Sequence, residues 1–152
     1  MKKLRLYADT SVFGGCFDDE FAEESRRLFE EIKAGRFSLL LSATTARELG
    51  LAPAQVRELL AGLPADCIEG IALTEEVEEL RDAYLQAGVV GPASQLDAEH
   101  IASASVAGAD LIVSWNFKHI VHFEKIRGYH AVNLLRGYPL VSIHSPSEVV
   151  ES

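Results

Sequence analysis

Cysteine, methionine and tryptophan are scarce in this 152-residue chain, which has two, one and one of them. Cys16 and Cys67 make no disulfide framework, and neither sits in a zinc-type spacing. They read as reduced, half-buried thiols that behave as small hydrophobes. No apolar run approaches about 18 residues, which excludes a membrane-spanning helix. The basic and briefly apolar start ends at Asp9, too early for a signal peptide, so a cytoplasmic location is the default expectation. Positive charge is short as well. Lys and Arg number 14 against 23 Asp and Glu, a net charge of −9, and so acidic a protein is a poor generic nucleic-acid binder. There is no internal repeat, low-complexity tract or linker. What remains is an ordinary globular composition, 48% hydrophobic and 24% charged. That suffices for one domain over residues 1–152, with a core that needs neither disulfide nor structural metal.

The charge is unevenly spread. Residues 18–31 carry Asp18, Asp19, Glu20, Glu23, Glu24, Glu30 and Glu31 against Arg26 and Arg27. Residues 115–140 carry Lys118, Lys125, Arg127 and Arg136 against Glu124, with His119, His122 and His130 among them. A local basic face therefore survives the acidic total.

Hydrophobic periodicity predicts alternating strands and helices. Leu4–Ala8, Phe37–Leu41 and Leu111–Ser114 are short, near-continuous apolar runs, as expected of strands buried on both faces. Cys67–Ala72 and Leu140–Ile143 are weaker strands. Residues 20–34 read as an amphipathic helix through Phe21, Ser25, Leu28, Phe29 and Ile32, stopped by Gly35. Further helices are expected from Ser42 to Leu49, from Pro53 to about Ala61, from Thr74 towards Gly88 and from Leu96 to Ala107. A last one covers Lys125–Arg136, broken or kinked near Gly128. Gly88–Gln95 reads as a loop. The alternation predicts an α/β fold: a parallel sheet of four to five strands with helices on both faces and the three apolar strands at its centre. Such sheets carry their sites at the carboxyl ends of the strands, at a topological switch point.

Four residues occupy such places: Asp9 after the first strand, Glu48 soon after the second, Asp97 opening the Leu96 helix, and Asn116 after the Leu111 strand. Each has a plain structural alternative. Asp9-Thr10-Ser11 fits a helix cap, Thr45 to Glu48 a capping box, Asp97 a favourable first-turn charge and Asn116 a turn. Together they place three carboxylates and a carboxamide at one end of one sheet. Like charges that close repel, and a cation resolves the repulsion. Hard oxygen donors select Mg²⁺ or Mn²⁺, an arrangement suited to metal-assisted phosphodiester hydrolysis.

The segments around these residues resemble the four motifs of PIN-domain ribonucleases, in order and over nearly the whole chain. They are Tyr7-Ala8-Asp9-Thr10-Ser11-Val12-Phe13, Glu48 behind Ser42-Ala43-Thr44, Leu96-Asp97-Ala98-Glu99-His100-Ile101-Ala102, and Ala109 to Phe117. The nearest group is the VapC-like toxins and their relatives. The resemblance implies a Mg²⁺- or Mn²⁺-dependent endoribonuclease, often the toxin half of a toxin–antitoxin pair and often a homodimer. It matches Asp9, Glu48 and Asp97 to the metal-binding acids and Asn116 to the fourth position, where many relatives carry an acid.

Neighbouring residues sort by geometry. Glu99 lies about 200° around the helix from Asp97 and reads as surface. His100 lies on the same side as Asp97 and is a candidate to hydrogen-bond an acid or a phosphate. Ser11 is a candidate to orient Asp9 or touch phosphate. Lys118, His119, Lys125 and Arg127 follow Asn116 directly, and Lys118 and Arg127 are the candidates for the phosphate backbone. Trp115 and Phe117 are candidates to stack on bases, at least one of them being core.

Other classes fit less well. A PIN-fold binding module with impaired catalysis, associating with RNA or protein, stays open because of Asn116. A response-regulator-like phosphotransfer domain wants an acidic pair and a lysine that Tyr7-Ala8 and Ser145-Pro146 do not supply. A haloacid-dehalogenase-like phosphatase wants a second Asp where Ser11 stands. Gly14-Gly15 lacks the spacing of a phosphate loop.

Overall fold

A computed structural model describes residues 3–151. Its order is β1 (Leu4–Ala8), α1 (Thr10–Gly15), α2 (Ala22–Lys33), β2 (Phe37–Ser42), α3 (Ala43–Gly50), α4 (Ala54–Ala61), β3 (Ile68–Ile71), α5 (Glu75–Gln86), α6 (Gln95–Val106), β4 (Leu111–Val113), α7 (Phe123–Arg136), β5 (Ser142–His144) and α8 (Pro146–Val149). The five strands form one parallel sheet in the order β3-β2-β1-β4-β5. The three apolar runs are therefore adjacent at its centre, as their composition requires.

Strand alternation explains the two cores. Leu6 and Ala8 face one side, with Leu39, Leu111 and Val113, and pack against Val12 and Phe13 of α1 and Leu28, Phe29 and Ile32 of α2. Tyr7 faces the other side with Leu40 and Ile112, against α5, α6 and α7. The chain runs outward from β1 to β2 and β3, then crosses to β4 on the other side. The reversal opens a crevice at the carboxyl ends of β1 and β4.

The expected break at Gly128 does not occur, and α7 runs through it. Glycine is there for contact: a Cβ on Gly128 would lie 2.8 Å from Val89 Cγ1. Gly128→Ala should therefore destabilise the protein by about 1–3 kcal/mol, although alanine is worth about 1 kcal/mol more than glycine in a helix. Urea unfolding measures it; a variant as stable as the wild type would show that the α5–α6 loop yields.

Both thiols are fully buried rather than half-buried. Burial pushes the Cys16 thiol up to about 11, against a smaller lowering by Arg26. Thiolate is the reactive form, so a disulfide-exchange reagent should titrate neither cysteine in the native protein at pH 8 and both in guanidinium. Rapid native labelling of Cys16 would refute the packing.

Candidate functional site

Asp9 is the first residue after β1 and the N-cap of α1, yet its side chain makes no capping bond. It is instead held by two serines. Ser11 Oγ donates to Oδ1 at 2.5 Å and Ser114 Oγ to Oδ2 at 2.8 Å. Ser11 also accepts from the Trp115 amide and Ser114 from the Asn116 amide. These bonds tie the start of α1 to the end of β4 and fix both carboxylate oxygens. Asp9 is only 4% exposed. Burial raises its pKa above the ordinary 3.8, opposed by His100 and the two hydroxyls and assisted by Asp97.

Glu48 lies on α3. The capping box that was the plain alternative for Glu48 does not form, because Ser42 caps that helix by accepting from the Thr45 amide. Glu48 is thereby left for the crevice, where its Oε1 meets Thr10 Oγ1 at 2.9 Å and His100 Nε2 at 2.7 Å. The bond from His100 is the main reason its pKa is lowered despite burial.

His100 is turned inward. Its Nδ1 lies 2.6 Å from the Tyr7 hydroxyl, which continues to Ser42 Oγ at 2.8 Å. Burial pulls the imidazole down, but Tyr7, Glu48 and Asp9 outweigh it and bring it up to about 10. Each ring nitrogen thus has a partner, the Tyr7 hydroxyl on one side and the Glu48 carboxylate on the other. Of the two partners expected for it, an acid or a phosphate, the structure supplies the acid and leaves no room for substrate contact: both ring nitrogens are engaged and the residue is 3% exposed. It orients Glu48.

Asp97, in the first turn of α6, has its pKa raised by burial, eased by His119, His100 and Asn116, and raised again by Glu48. Asn116 Nδ2 donates to Asp97 Oδ1 at 3.1 Å. Asp97 thus lies within the fields of both other carboxylates. Among the described residues neither Asp9 nor Asp97 has a cationic ion-pair partner, whereas Glu48 has His100. No three His, Cys, Asp or Glu side chains among them stand close enough to hold one ion. One buried and one half-buried carboxylate, neither of them neutralised, suit a hard cation held through few protein ligands, with water and phosphate completing its shell. They do not suit a closed cage.

The basic residues are less convergent. Lys118 and Arg127 are exposed, and Arg127 lies 3.5 Å from Glu124 and over the Phe123 ring. Neither side chain bonds to the acids. Trp115 belongs to the core, stacked on Phe21 with Nε1 donating to Ser25 at 2.8 Å, whereas Phe117 is 49% exposed. Glu99 is buried, not surface: Arg81 meets it at 2.7 Å, Thr44 at 2.5 Å and Arg47 at 3.5 Å. Sequence reasoning passed over Tyr7, Thr10 and Ser114 as orienting groups. The hydroxyls flanking Asp9, and a serine directly after β4, were the available signal.

The acids border the crevice, whereas a cavity of about 270 Å³ lined by Phe17, Phe29, Lys33 and Leu59 lies elsewhere and includes none of them. No family model and no curated protein matches the chain. A solved structure does: a chain in the crystal structure of VapBC2 from Rickettsia felis bound to a DNA fragment from their promoter. The TM-score is 0.57 at 14% identity, over 93% of this chain and 98% of that one. The fold is PIN-like. At that identity the likeness concerns the fold, and the PIN-like sheet is what brings Asp9, Glu48, Asp97 and Asn116 to one edge.

Proposed function

We propose that this chain is a Mg²⁺- or Mn²⁺-dependent endoribonuclease that hydrolyses RNA phosphodiester bonds. The observation that carries the reading is the acidic cluster itself: Asp97 lies within the fields of both Asp9 and Glu48, and the buried Asp9 and half-buried Asp97 stand without a cationic partner among the described residues at the switch point of a PIN-like sheet. When bound there, a divalent ion lowers the pKa of a coordinated water and stabilises charge on the phosphate. In this reading Asp9 and Asp97 are its ligands and Glu48 completes its inner or outer shell. Ser11 and Ser114 hold Asp9 in place, and His100 does the same for Glu48. Lys118 and Arg127 meet the phosphate backbone, and Phe117 offers a face for a base.

The same reading makes the protein the toxin of a toxin–antitoxin pair, cytoplasmic, with an antitoxin protein and a second copy of itself as partners. Similarity of fold to a VapBC2 chain supports this, and among the described residues no helix is long and apolar enough to cross a membrane. The test is cleavage of structured and unstructured RNA in Mg²⁺, Mn²⁺ and EDTA. Cleavage that persists in EDTA would rule out the metal mechanism. A second reading, a PIN-fold module that binds RNA or protein without cutting, is favoured by the lack of a three-ligand cluster among the described residues. Mn²⁺ bound with no RNA cut would select it.

Neutralising Lys118 and Arg127 together should weaken RNA binding about equally for all sequences and flatten its salt dependence, each lost phosphate contact removing roughly 0.7 from the log–log slope for single strands. An unchanged slope would mean that RNA enters elsewhere.

A further inference from the structure

Both ends of the Asn116 carboxamide are engaged. Its Oδ1 accepts from the backbone amides of Lys118 at 3.2 Å and His119 at 2.9 Å. Two N–H donors on one terminal atom require that atom to be oxygen, so the amide cannot be flipped. Its Nδ2 is therefore committed to Asp97 Oδ1 at 3.1 Å. The backbone carbonyl of the same residue accepts from Ile120 and Val121 at 3.2 and 2.8 Å. Asn116 thus winds residues 116–121 into a tight turn while gripping an acid from another element.

We propose that Asn116 is a positioning residue: a neutral clamp that aims Asp97 and folds the turn behind it, and not a ligand of the cation. This rests on the metal-dependent reading above and changes what the fourth position does within it. A ligand needs a lone pair directed at the ion, and both directions on Oδ1 are taken by amides. What faces the acid is an N–H, which supports the Asp97 carboxylate without adding charge. The clamp also explains why asparagine suits this position. With aspartate, Oδ1 keeps its two amides and the second oxygen confronts Asp97 Oδ1 with no proton between them. The turn carries His119 as well, whose Nδ1 is buried and has no hydrogen-bond partner among the described residues.

A reciprocal swap tests the clamp. Asn116→Asp in EDTA should lower the unfolding temperature by about 3–6 °C, and excess Mn²⁺ should close most of that gap by lying between the two carboxylates. Adding Asp97→Asn to that variant restores one amide facing one carboxylate and should recover at least half of the loss in EDTA, a non-additivity that distant sites do not show. If Asn116→Asp does not fold in EDTA, the swapped pair still decides, because it folds only if the facing amide is what matters. Asn116→Asp as stable as the wild type in EDTA, or a swapped pair no better than the single variant, overturns the clamp. Mn²⁺ binding by the wild type, followed through the free-ion electron resonance signal, is read separately. Its absence overturns the metal reading, while the EDTA comparison still decides the clamp.

Discussion

Asp9→Asn should reduce RNA cleavage by roughly 10³-fold, the equivalent of about 4 kcal/mol of barrier. It removes a full charge from the proposed ion while keeping the shape. One of the two serines around it can turn its hydroxyl to accept from the new amide nitrogen while the other goes on donating to the amide oxygen. The same substitution has an opposite effect on stability. Asp9 is buried and its pKa is raised, so its ionised form opposes folding. A carboxyl with a raised native pKa favours the fold least above that pKa, and the penalty fades as pH falls towards the unfolded value near 3.9. In EDTA at neutral pH, Asp9→Asn should therefore melt above the wild type, with a margin that shrinks on acidification. Saturating Mn²⁺ stabilises only a protein that binds it, so it should narrow or reverse the difference. A variant that still cuts RNA, or that melts lower than the wild type throughout, would remove Asp9 from the centre of the mechanism.

The largest loss of stability is expected away from the crevice. Arg81→Ala should cost about 3 kcal/mol or more, since it leaves Glu99, 3% exposed as a side chain, with Thr44 and the distant, half-solvated Arg47. For a chain of this size that is roughly 6–12 °C in melting temperature. Replacing both partners by apolar residues, Arg81→Met with Glu99→Leu, should recover most of it, because a buried pair contributes little net stability while a stranded charge costs much. Cleavage by the double variant, once folded, should match the wild type. A single variant within about 0.5 kcal/mol of wild type, the range of ordinary surface changes, would show that Glu99 finds solvent.

The contrast between Asp97 and Glu99 shows where the sequence was legible. Both stand on α6, and helical geometry correctly separated their faces. The error was to treat the second face as solvent. Helix α6 is wrapped on nearly all sides, with Ala98, Ile101, Ala102, Ser103, Ala104 and Ser105 all buried, and small residues all round are the mark of such a helix. The central strands were legible because burial on both faces leaves no polar position to blur them. The last element was not, although Ser145-Pro146-Ser147-Glu148 forms a capping box with proline in the first turn of α8. At the crevice, the charged residues could be read from their places after the strands. Of the hydroxyls that hold them, Ser11 was legible beside Asp9, whereas Tyr7, Thr10 and Ser114 were not, because hydroxyls have many structural uses and only contact distinguishes them.

The order of the sheet also bears on the timing of synthesis. Asp9 leaves the ribosome early, but the serine that fixes its second oxygen lies 105 residues further along, and β4 must slot beside β1 before the two can meet. At about 5–20 residues per second, a nascent chain spends several seconds with its first acid exposed and its fourth corner unmade. A ribosome-bound fragment ending before residue 111 should neither retain Mn²⁺ nor cut RNA. In the nuclease reading proposed above, placing the last corner of the crevice on a late strand would spare the translating ribosome and its own message from an activity that arises only after β4 has emerged and paired with β1.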